Sequence, residues 1–157
     1  MMTTIAKIIS GGQTGVDRAA LDVAIQLGIP HGGWCPRGRR SEDGCIPLCY
    51  DLTETTTDDY RERTRLNIQD AHGTLILTVG RATGGTLLTL RECIRSKKAY
   101  AIVDLAGEDA RAGGVQMARE WLTVLMRDCT LNVAGPRESK HPGVYEMART
   151  FLLEVLG

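Results

Sequence analysis

The chain has 157 residues, 43% hydrophobic and 24% charged, which predicts one globular domain spanning residues 1–157. Its 19 basic and 19 acidic side chains cancel, so we expect neither nucleic acid nor a membrane as partner, and any anion site must be local. No apolar run approaches the roughly 20 residues of a membrane span, and the start lacks the features of a secretory signal. A cytoplasmic protein is therefore expected.

The first part of the chain predicts a strand, a glycine-rich turn and a helix. Residues 5–9 form an apolar run, "SGGQTG" follows at 10–15, and apolar residues then recur at helical spacing over 16–27. A short extended piece is predicted at 31–34. Over residues 35–57, Pro, Gly, Arg and Asp interrupt any period, which predicts a long loop that is functional or mobile.

The rest of the chain repeats the alternation of strands and helices. The predicted strands cover 73–79, 99–105 and 129–135, and the predicted helices run from a cap at Thr57 or Asp58 to about Ala71, from the "TGGT" turn at 83–86 onward, over 114–127 and over 143–156. Such alternation predicts an α/β fold of the Rossmann-like, three-layer type, with a mainly parallel sheet and helices on both faces.

Three turns predict an anion site at one edge of that sheet. Ligands of open parallel sheets lie beyond the carboxyl ends of the strands, and helix N-termini there present N–H groups to anions. A tight turn without a ligand is the alternative for each. The candidate binding residues are Gly11, Gly12, Gln13, Thr14 and Gly15 in the first turn, Gly84, Gly85 and Thr86 in the second, and Asn132, Gly135, Pro136, Arg137 and Ser139 in the third.

Two further groups of polar residues have a surface interpretation and a functional one. Arg37, Arg39 and Arg40 follow the predicted second strand, where their guanidinium groups could close over phosphate or molybdate oxygens. A solvated basic patch is the alternative. On the helix that ends near Ala71, a polar stripe faces either the site or solvent; it consists of Tyr60, Arg63 or Thr64, and Asn67.

Several common cofactor and metal motifs are incomplete. In a dinucleotide fingerprint, Ser10 would replace the leading glycine, and no acid follows the second strand at 34–37, which argues against NAD. No Gly-Lys-Ser/Thr marks a Walker A loop. The five cysteines are scattered and read as reduced thiols. A zinc site lacks the usual local chelate, so we predict no metal ligands, although the candidates would be Cys35, Cys45, Cys49, His31 and His72.

Several motifs together resemble the putative molybdenum carrier family, a circularly permuted branch of the Rossmann-like SLOG superfamily. They are "SGGQTGVDRAALDVAIQLGI", "GGWCPRGRRSEDG", the "Y..RT..N..DA.GTLIL" pattern, "GGT" and "NVAGPRES", and they span nearly the whole chain in order. The resemblance implies a homo-oligomer with a pocket at the strand ends for molybdenum cofactor, molybdate or a nucleotide-like ligand. Molybdoenzymes would then be the recipients of a carried cofactor.

The same superfamily includes cytokinin-activating phosphoribohydrolases, whose mark is PGGxGTxxE. Here Thr89 stands where that glutamate should be, and Glu92 lies one helical turn further on. Without a carboxylate at that point, hydrolysis of an N-glycosidic bond is disfavoured. The sequence therefore predicts a non-catalytic carrier, with a nucleotide-binding protein or a nucleoside-phosphate N-glycosidase as the alternative.

Overall fold

The computed structural model describes residues 5–125 and 127–157. Within them lie nine strands and five helices, which alternate along the chain except over residues 31–54, where five short strands follow one another. Their bounds are β1 (Ile5–Ile9), α1 (Val16–Leu27), β2 (His31–Gly32), β3 (Trp34–Cys35), β4 (Arg40–Ser41), β5 (Gly44–Cys45), β6 (Thr53–Glu54), α2 (Tyr60–Asp70), β7 (Gly73–Thr78), α3 (Gly84–Ser96), β8 (Ala99–Asp104), α4 (Glu108–Val124), β9 (Cys129–Ala134) and α5 (Val144–Leu156).

Five of these strands form a central parallel sheet with the order β2-β1-β9-β7-β8. The last strand of the chain, β9, lies in the middle, where Leu131 is in register with both Ile8 and Gly73. The carboxyl ends of β1, β9 and β7 therefore lie side by side at the centre of one sheet edge. This arrangement confirms the predicted α/β, Rossmann-like fold and provides the topological switch at which such sheets bind ligands.

Helices cover the sheet in two groups. The helix α5 packs against α1 and α4, whereas α2 packs against α3. Every residue of β7 is buried, as its uninterrupted apolar run predicts for a strand covered on both faces. The main core joins strand side chains such as Leu75 and Leu131 to Phe151 of α5, none of which is measurably exposed. Each buried side chain of this size contributes about 1.5–3 kcal/mol.

Most element boundaries lie within about one residue of those predicted, whereas the start of α2 and both ends of α4 needed correction. The bounds of β1 and α1 are those predicted. The cap of α2 is Asp59, whose carboxylate accepts from the Arg61 N–H at 2.9 Å, rather than Thr57 or Asp58. The helix α4 begins at Glu108, six residues before the predicted start. The glycine that indicated the later start, Gly114, lies inside the helix, where a Cβ would come within 2.5 Å of Val103.

The segment 35–57 contains more structure than its irregular sequence indicates. Together with Trp34, it forms a short parallel pair, β3 with β6, and an antiparallel hairpin, β4 with β5. Its apolar side chains make a second small core with Leu21 of α1; they are Cys35, Ile46, Tyr50 and Leu52. A period was absent from the sequence because these side chains are buried from short strands and turns rather than from one long element.

Asp22 of α1 anchors both this segment and α5 through tyrosine hydroxyls. The Asp22 carboxylate accepts the hydroxyl of Tyr50 at 2.6 Å and that of Tyr145 from α5. Burial first, and then the hydrogen bond to Asp22, raises the pKa of Tyr145 to about 12, so that its hydroxyl stays a donor.

Among the described helices, none is both long enough and apolar enough to cross a membrane.

Candidate functional site

A cavity of about 400 Å³ lies at the sheet edge where β1 and β9 end. Its walls are the β1–α1 turn, the inward face of α2, the start of α3 and the loop after β9. The volume falls in the range of small-molecule sites, and the position is the one where open parallel sheets bind ligands.

The cavity brings together residues from all three predicted turns, but only some of each. The predicted residues that line it are Gly11, Gln13, Gly84, Gly85, Thr86, Asn132, Gly135, Pro136 and Arg137. Those that do not line it are Gly12, Thr14, Gly15, Arg37, Arg39, Arg40 and Ser139. Ligand binding by the individual residues stays a prediction.

In the first turn, the main-chain N–H groups donate hydrogen bonds to side chains of the same turn and of α1. The Gly12 N–H donates to the Ser10 hydroxyl at 3.4 Å and the Gln13 N–H to an Asp17 carboxylate oxygen at 3.3 Å. The Thr14 N–H donates to the Gln13 side-chain oxygen at 3.0 Å. Three of the donors that the sequence assigned to an anion are thus satisfied internally, and the N-terminus of α1 already has a carboxylate beside it.

Two glycines of this turn are needed for packing. Gly12 has a φ of 78°, and a Cβ there would come within 2.6 Å of Leu52. Gly15 has a φ of 79°, and a Cβ there would collide with the Pro136 carbonyl. Only glycine fits a positive φ at such close approach. The turn is therefore a packed junction between α1, the segment 35–57 and the loop after β9.

The second turn is open to the cavity. The N-cap of α3, Thr83, makes no side-chain capping hydrogen bond. The first N–H groups of a helix have no carbonyl one turn earlier, so those of Gly85 and Thr86 point outward as free donors in a positive helix dipole. Lys140 adds a positive charge here. Its Nζ lies so close to Gly84 that a Cβ at this glycine would come within 2.6 Å of it. The sequence analysis did not single out Lys140.

The third turn already holds an anion from the protein itself. The Glu42 carboxylate accepts from the Ser139 N–H at 3.1 Å and from the hydroxyls of Ser139 and Thr14. It also lies 3.6 Å from the Arg137 guanidinium. Desolvation raises the pKa of Glu42, but the hydrogen bonds from Ser139 and Thr14 outweigh it and hold the pKa below its usual range. An internal carboxylate thus occupies donors that the sequence assigned to a ligand.

The three predicted arginines serve the segment 35–57 or the surface. The Arg39 guanidinium donates to main-chain carbonyls, including those of Pro47 and Tyr50, both at 2.8 Å. Arg40 forms an exposed ion pair with Asp58 at 3.2 Å. The side chain of Arg37 is outside the cavity, and its N–H donates to the Thr57 carbonyl at 3.1 Å. The hairpin that carries them is tied to α1 by an ion pair of Asp43 with Arg18 at 2.7 Å.

The polar stripe of α2 faces the cavity. Tyr60, Arg63, Thr64 and Asn67 all line it. Asn67 has a structural task there, because its side-chain amide exchanges hydrogen bonds of 2.8 and 2.9 Å with the main chain of Trp34. Arg63 has a free group: its Nη1 is buried and has no hydrogen-bond partner.

Asp17 is the buried acid of the cavity. Its side chain lines the cavity while the residue is only 7% exposed. Desolvation raises its pKa to about 6, although the Arg63 charge and the hydrogen bond from Gln13 both lower it. A carboxylate that is buried beside a cavity despite the unfavourable desolvation of its charge is a candidate functional group.

Comparison with known proteins identifies the family. The model of the circularly permutated YpsA SLOG family, cpYpsA, matches residues 8–156. The chain belongs to the cpYpsA family. Its structure also superposes on the 1.45 Å crystal structure of a protein from Syntrophus aciditrophicus SB described as "Putative molybdenum carrier protein", with a TM-score of 0.93 and 40% identity over 100% of this chain and 98% of the other. No curated protein matches the chain.

These matches confirm the resemblance drawn from the sequence motifs, and they leave the ligand of this cpYpsA chain to be argued from its cavity. Four basic and two acidic side chains line that cavity, in a chain whose formal charge is zero, so the positive charge is concentrated here. The basic residues are Arg61, Arg63, Arg137 and Lys140, and the acidic ones are Asp17 and Asp59.

Groups that would support other chemistry are placed less favourably in this cpYpsA chain. Thr89, at the position of the hydrolase glutamate, lines the cavity and donates to the Gly85 carbonyl at 3.0 Å. Glu92 lies outside the cavity and is paired with Arg95. Cys35 is buried whereas Cys45 and Cys49 are exposed, and within 5–125 and 127–157 no three His, Cys, Asp or Glu side chains cluster as metal ligands.

Proposed function

We propose that this cpYpsA chain binds a molybdenum-cofactor-type ligand and carries it without transforming it. The observation that carries the proposal is the group of free donors around the cavity: the open N-terminus of α3, Lys140 and the unpartnered Arg63 Nη1. The similar protein from Syntrophus aciditrophicus SB, 40% identical over the whole chain, is described as a "Putative molybdenum carrier protein", which agrees with a carrier function.

The phosphate or oxyanion end of the ligand would lie at the start of α3. There the N–H groups of Gly85 and Thr86 provide directed donors, and the helix dipole and Lys140 provide positive charge. Because the first turn and the third turn satisfy most of their donors internally, the anion end is assigned to α3 rather than shared among three turns. The ring end would then extend along α2 toward Asp17 and Arg63.

The residues present fit such a cargo. A cavity of about 400 Å³ is large enough for a small heterocycle with a phosphate, and a buried arginine nitrogen without a partner is satisfied by an acceptor on a ligand. A carrier needs enclosure and release, not an activated nucleophile. This role agrees with a threonine at position 89 and with a Glu92 carboxylate that is held by Arg95 outside the cavity.

The proposal includes the setting in which the carrier would act. We infer a cytoplasmic homo-oligomer that protects the labile cofactor from water and oxygen and delivers it to molybdoenzymes. The hairpin of β4 and β5, which Glu42 and Asp43 fasten beside the cavity, is the part of segment 35–57 whose release would widen access.

Titration of the purified chain with molybdenum cofactor and with molybdate tests this function. We expect saturable binding well below the millimolar range. Lys140→Met should weaken binding by about 10- to 100-fold, because it removes one charge-assisted hydrogen bond. Lys98→Met is the matched control, since Lys98 lies at the opposite end of α3 and donates to the Gln69 carbonyl at 3.4 Å. Absence of saturable binding to both compounds would refute the carrier.

The alternative, a nucleoside-phosphate N-glycosidase, is favoured by one observation: Asp17 supplies a buried carboxylate to the cavity from the side of α1. Incubation with nucleoside 5′-monophosphates and detection of the free base decides between the two. Turnover that Asp17→Asn abolishes would establish the hydrolase, whereas binding without release of base supports the carrier.

A further inference from the structure

One wall of the cavity pairs a hydrogen-bond donor with an acceptor that do not satisfy each other. Arg63 and Asp17 both line the cavity, and Arg63 exerts the strongest attractive charge effect on Asp17. No ion pair within 4.0 Å joins them in the described part of the chain. Arg63 keeps a buried Nη1 without a partner. A polar ligand group that accepts from Arg63 and donates to the Asp17 carboxylate would give the arginine nitrogen its missing partner and add a hydrogen bond to the acid.

The position of Arg63 depends on Gly11. A Cβ at Gly11 would come within 2.8 Å of the Arg63 Cδ and Nε, so the arginine stem lies directly on the main chain of the β1–α1 turn. The guanidinium is also 5.1 Å from the centroid of the Tyr60 ring. Contacts on two sides hold the donor, while Asp17 is held by the Gln13 N–H at 3.3 Å. The wall is thus arranged before any ligand binds.

The chemistry of the two side chains indicates the complementary ligand. Arg63 supplies a hydrogen-bond donor, and the carboxylate of Asp17 can accept two hydrogen bonds side by side. The matching edge carries a carbonyl oxygen, a ring N–H and an amino group in a row. A 2-amino-4-oxopyrimidine ring has this edge, and it occurs in pterins and in guanine. Adenine has a ring nitrogen acceptor in place of the N–H and would face the carboxylate with a lone pair.

We propose that Asp17 and Arg63 select ligands whose ring carries a 2-amino-4-oxopyrimidine edge, a pterin or a guanine, while α3 and Lys140 hold the phosphate. The inference rests on the proposed function, because it assigns the ring end of the same cavity. It goes beyond that function in naming the residues that read the ring and the ring class that they accept.

Calorimetric titration with matched compounds tests the inference. GMP and IMP differ only in the 2-amino group, which IMP lacks, and the lumazine counterpart of 6-hydroxymethylpterin phosphate carries a 2-oxo group in place of the 2-amino group. We expect the amino compound of each pair to bind about 10- to 100-fold more tightly, the effect of one hydrogen bond to a charged group, and AMP to bind no better than IMP. The tighter of GMP and the pterin phosphate identifies which source of the ring the cavity prefers.

Variants assign the preference to the named residue. Asp17→Asn should bring the GMP-to-IMP affinity ratio close to one, because the amide presents a donor to one of the ring donors. Asp109→Asn, on the exposed first turn of α4, is the matched control and should keep the ratio of the native chain. Gly11→Ala should lower affinity for GMP and IMP by the same factor, because it displaces the Arg63 guanidinium, which reads the carbonyl that both rings share.

The outcomes separate this inference from the carrier function. Equal affinities within each pair, or a ratio that survives Asp17→Asn, would overturn the reading of the ring even if phosphate or molybdate still binds in a manner that depends on Lys140. Failure of all ring compounds to bind would overturn it as well. Molybdate titration of the same preparation then shows whether the anion end, and with it the carrier, still stands.

Discussion

The two glycine-rich turns that begin α1 and α3 look alike in sequence but differ in what their donors do. In the first, the N–H groups of Gly12, Gln13 and Thr14 bond to side chains of the turn itself. In the second, no side chain among the described residues accepts a hydrogen bond from the N–H groups of Gly85 and Thr86, and the N-cap Thr83 adds no capping hydrogen bond. The comparison teaches that a glycine-rich helix start offers an anion site only when nearby side chains have not already satisfied it.

The space around the glycines also differs between the two turns. A Cβ at Gly15 would meet the main chain of the loop after β9, whereas a Cβ at Gly85 would meet no heavy atom within 4 Å. In the first turn glycine permits close packing between elements. In the second it leaves free space at the cavity. The fold therefore requires glycine in the first turn, whereas glycine in the second turn leaves open space beside the cavity.

The largest expected effect is on stability in the first turn. Gly15→Ala should lower the free energy of unfolding by about 3 kcal/mol, because it adds a Cβ at a φ of 79° against the Pro136 carbonyl. Gly85→Ala is its matched control and should be neutral or stabilising by up to about 1 kcal/mol, since alanine favours the helix. Urea unfolding measures both. An equal decrease in the free energy of unfolding at the two positions would contradict the distinction between a packed first turn and an open second turn.

A smaller effect of opposite sign is expected at Asp17. Its pKa in the folded chain is raised from 3.8 to about 6, so folding is favoured most below pH 3.8 and that contribution is lost as the pH rises through 6. Asp17→Asn should therefore stabilise the chain at pH 7 by up to about 3 kcal/mol, and the gain should vanish near pH 4. Thermal unfolding of both chains from pH 4 to pH 8 measures this difference.

The same titration should govern ring binding. The carboxylate faces Arg63 from α2 and Arg18 from α1, while Arg137 and Lys140 line the same cavity. A fall of the GMP-to-IMP affinity ratio below pH 6 would be assigned to Asp17, because the two ligands carry the same phosphate and the pKa of Asp17 is raised to about 6. In the unfolding experiment, a loss of stability in Asp17→Asn at pH 7 would contradict the expected gain and would mean that the carboxylate stabilises the fold.

The smallest expected effect concerns the third turn. Glu42→Gln should lower the free energy of unfolding by about 1 kcal/mol, because it weakens hydrogen bonds to a charged group near the surface. The Glu42 pKa lies below its usual range in the folded chain, so the native advantage should be present above that range and fade as the pH falls through it. Glu146→Gln, an exposed residue of α5 whose carboxylate is 3.9 Å from Arg149, serves as the control.

Sequence reasoning reached the site where a local pattern carried the information. Glycines after apolar runs indicated the turns at β1 and α3, and helical spacing placed Tyr60, Arg63 and Asn67 on one face of α2, which lines the cavity. Lys140 carried no such signal, because it lies in an irregular loop and reaches Gly84 only through the tertiary fold. Glu42 was missed as an internal anion for the same reason.

The sequence by itself determined the alternation of strands and helices, and with it the parallel sheet, because apolar periodicity and glycine punctuation act within a few residues. Only the tertiary structure decided which donors remain free, because Asp17 and Glu42 reach the predicted anion turns through side-chain geometry and the placement of β4 and β5. Hydrogen bonds between distant residues depend on positions in space, which no local pattern encodes. We therefore propose the start of α3 as the anion end of the site, while α1 contributes the buried carboxylate of Asp17 to the cavity.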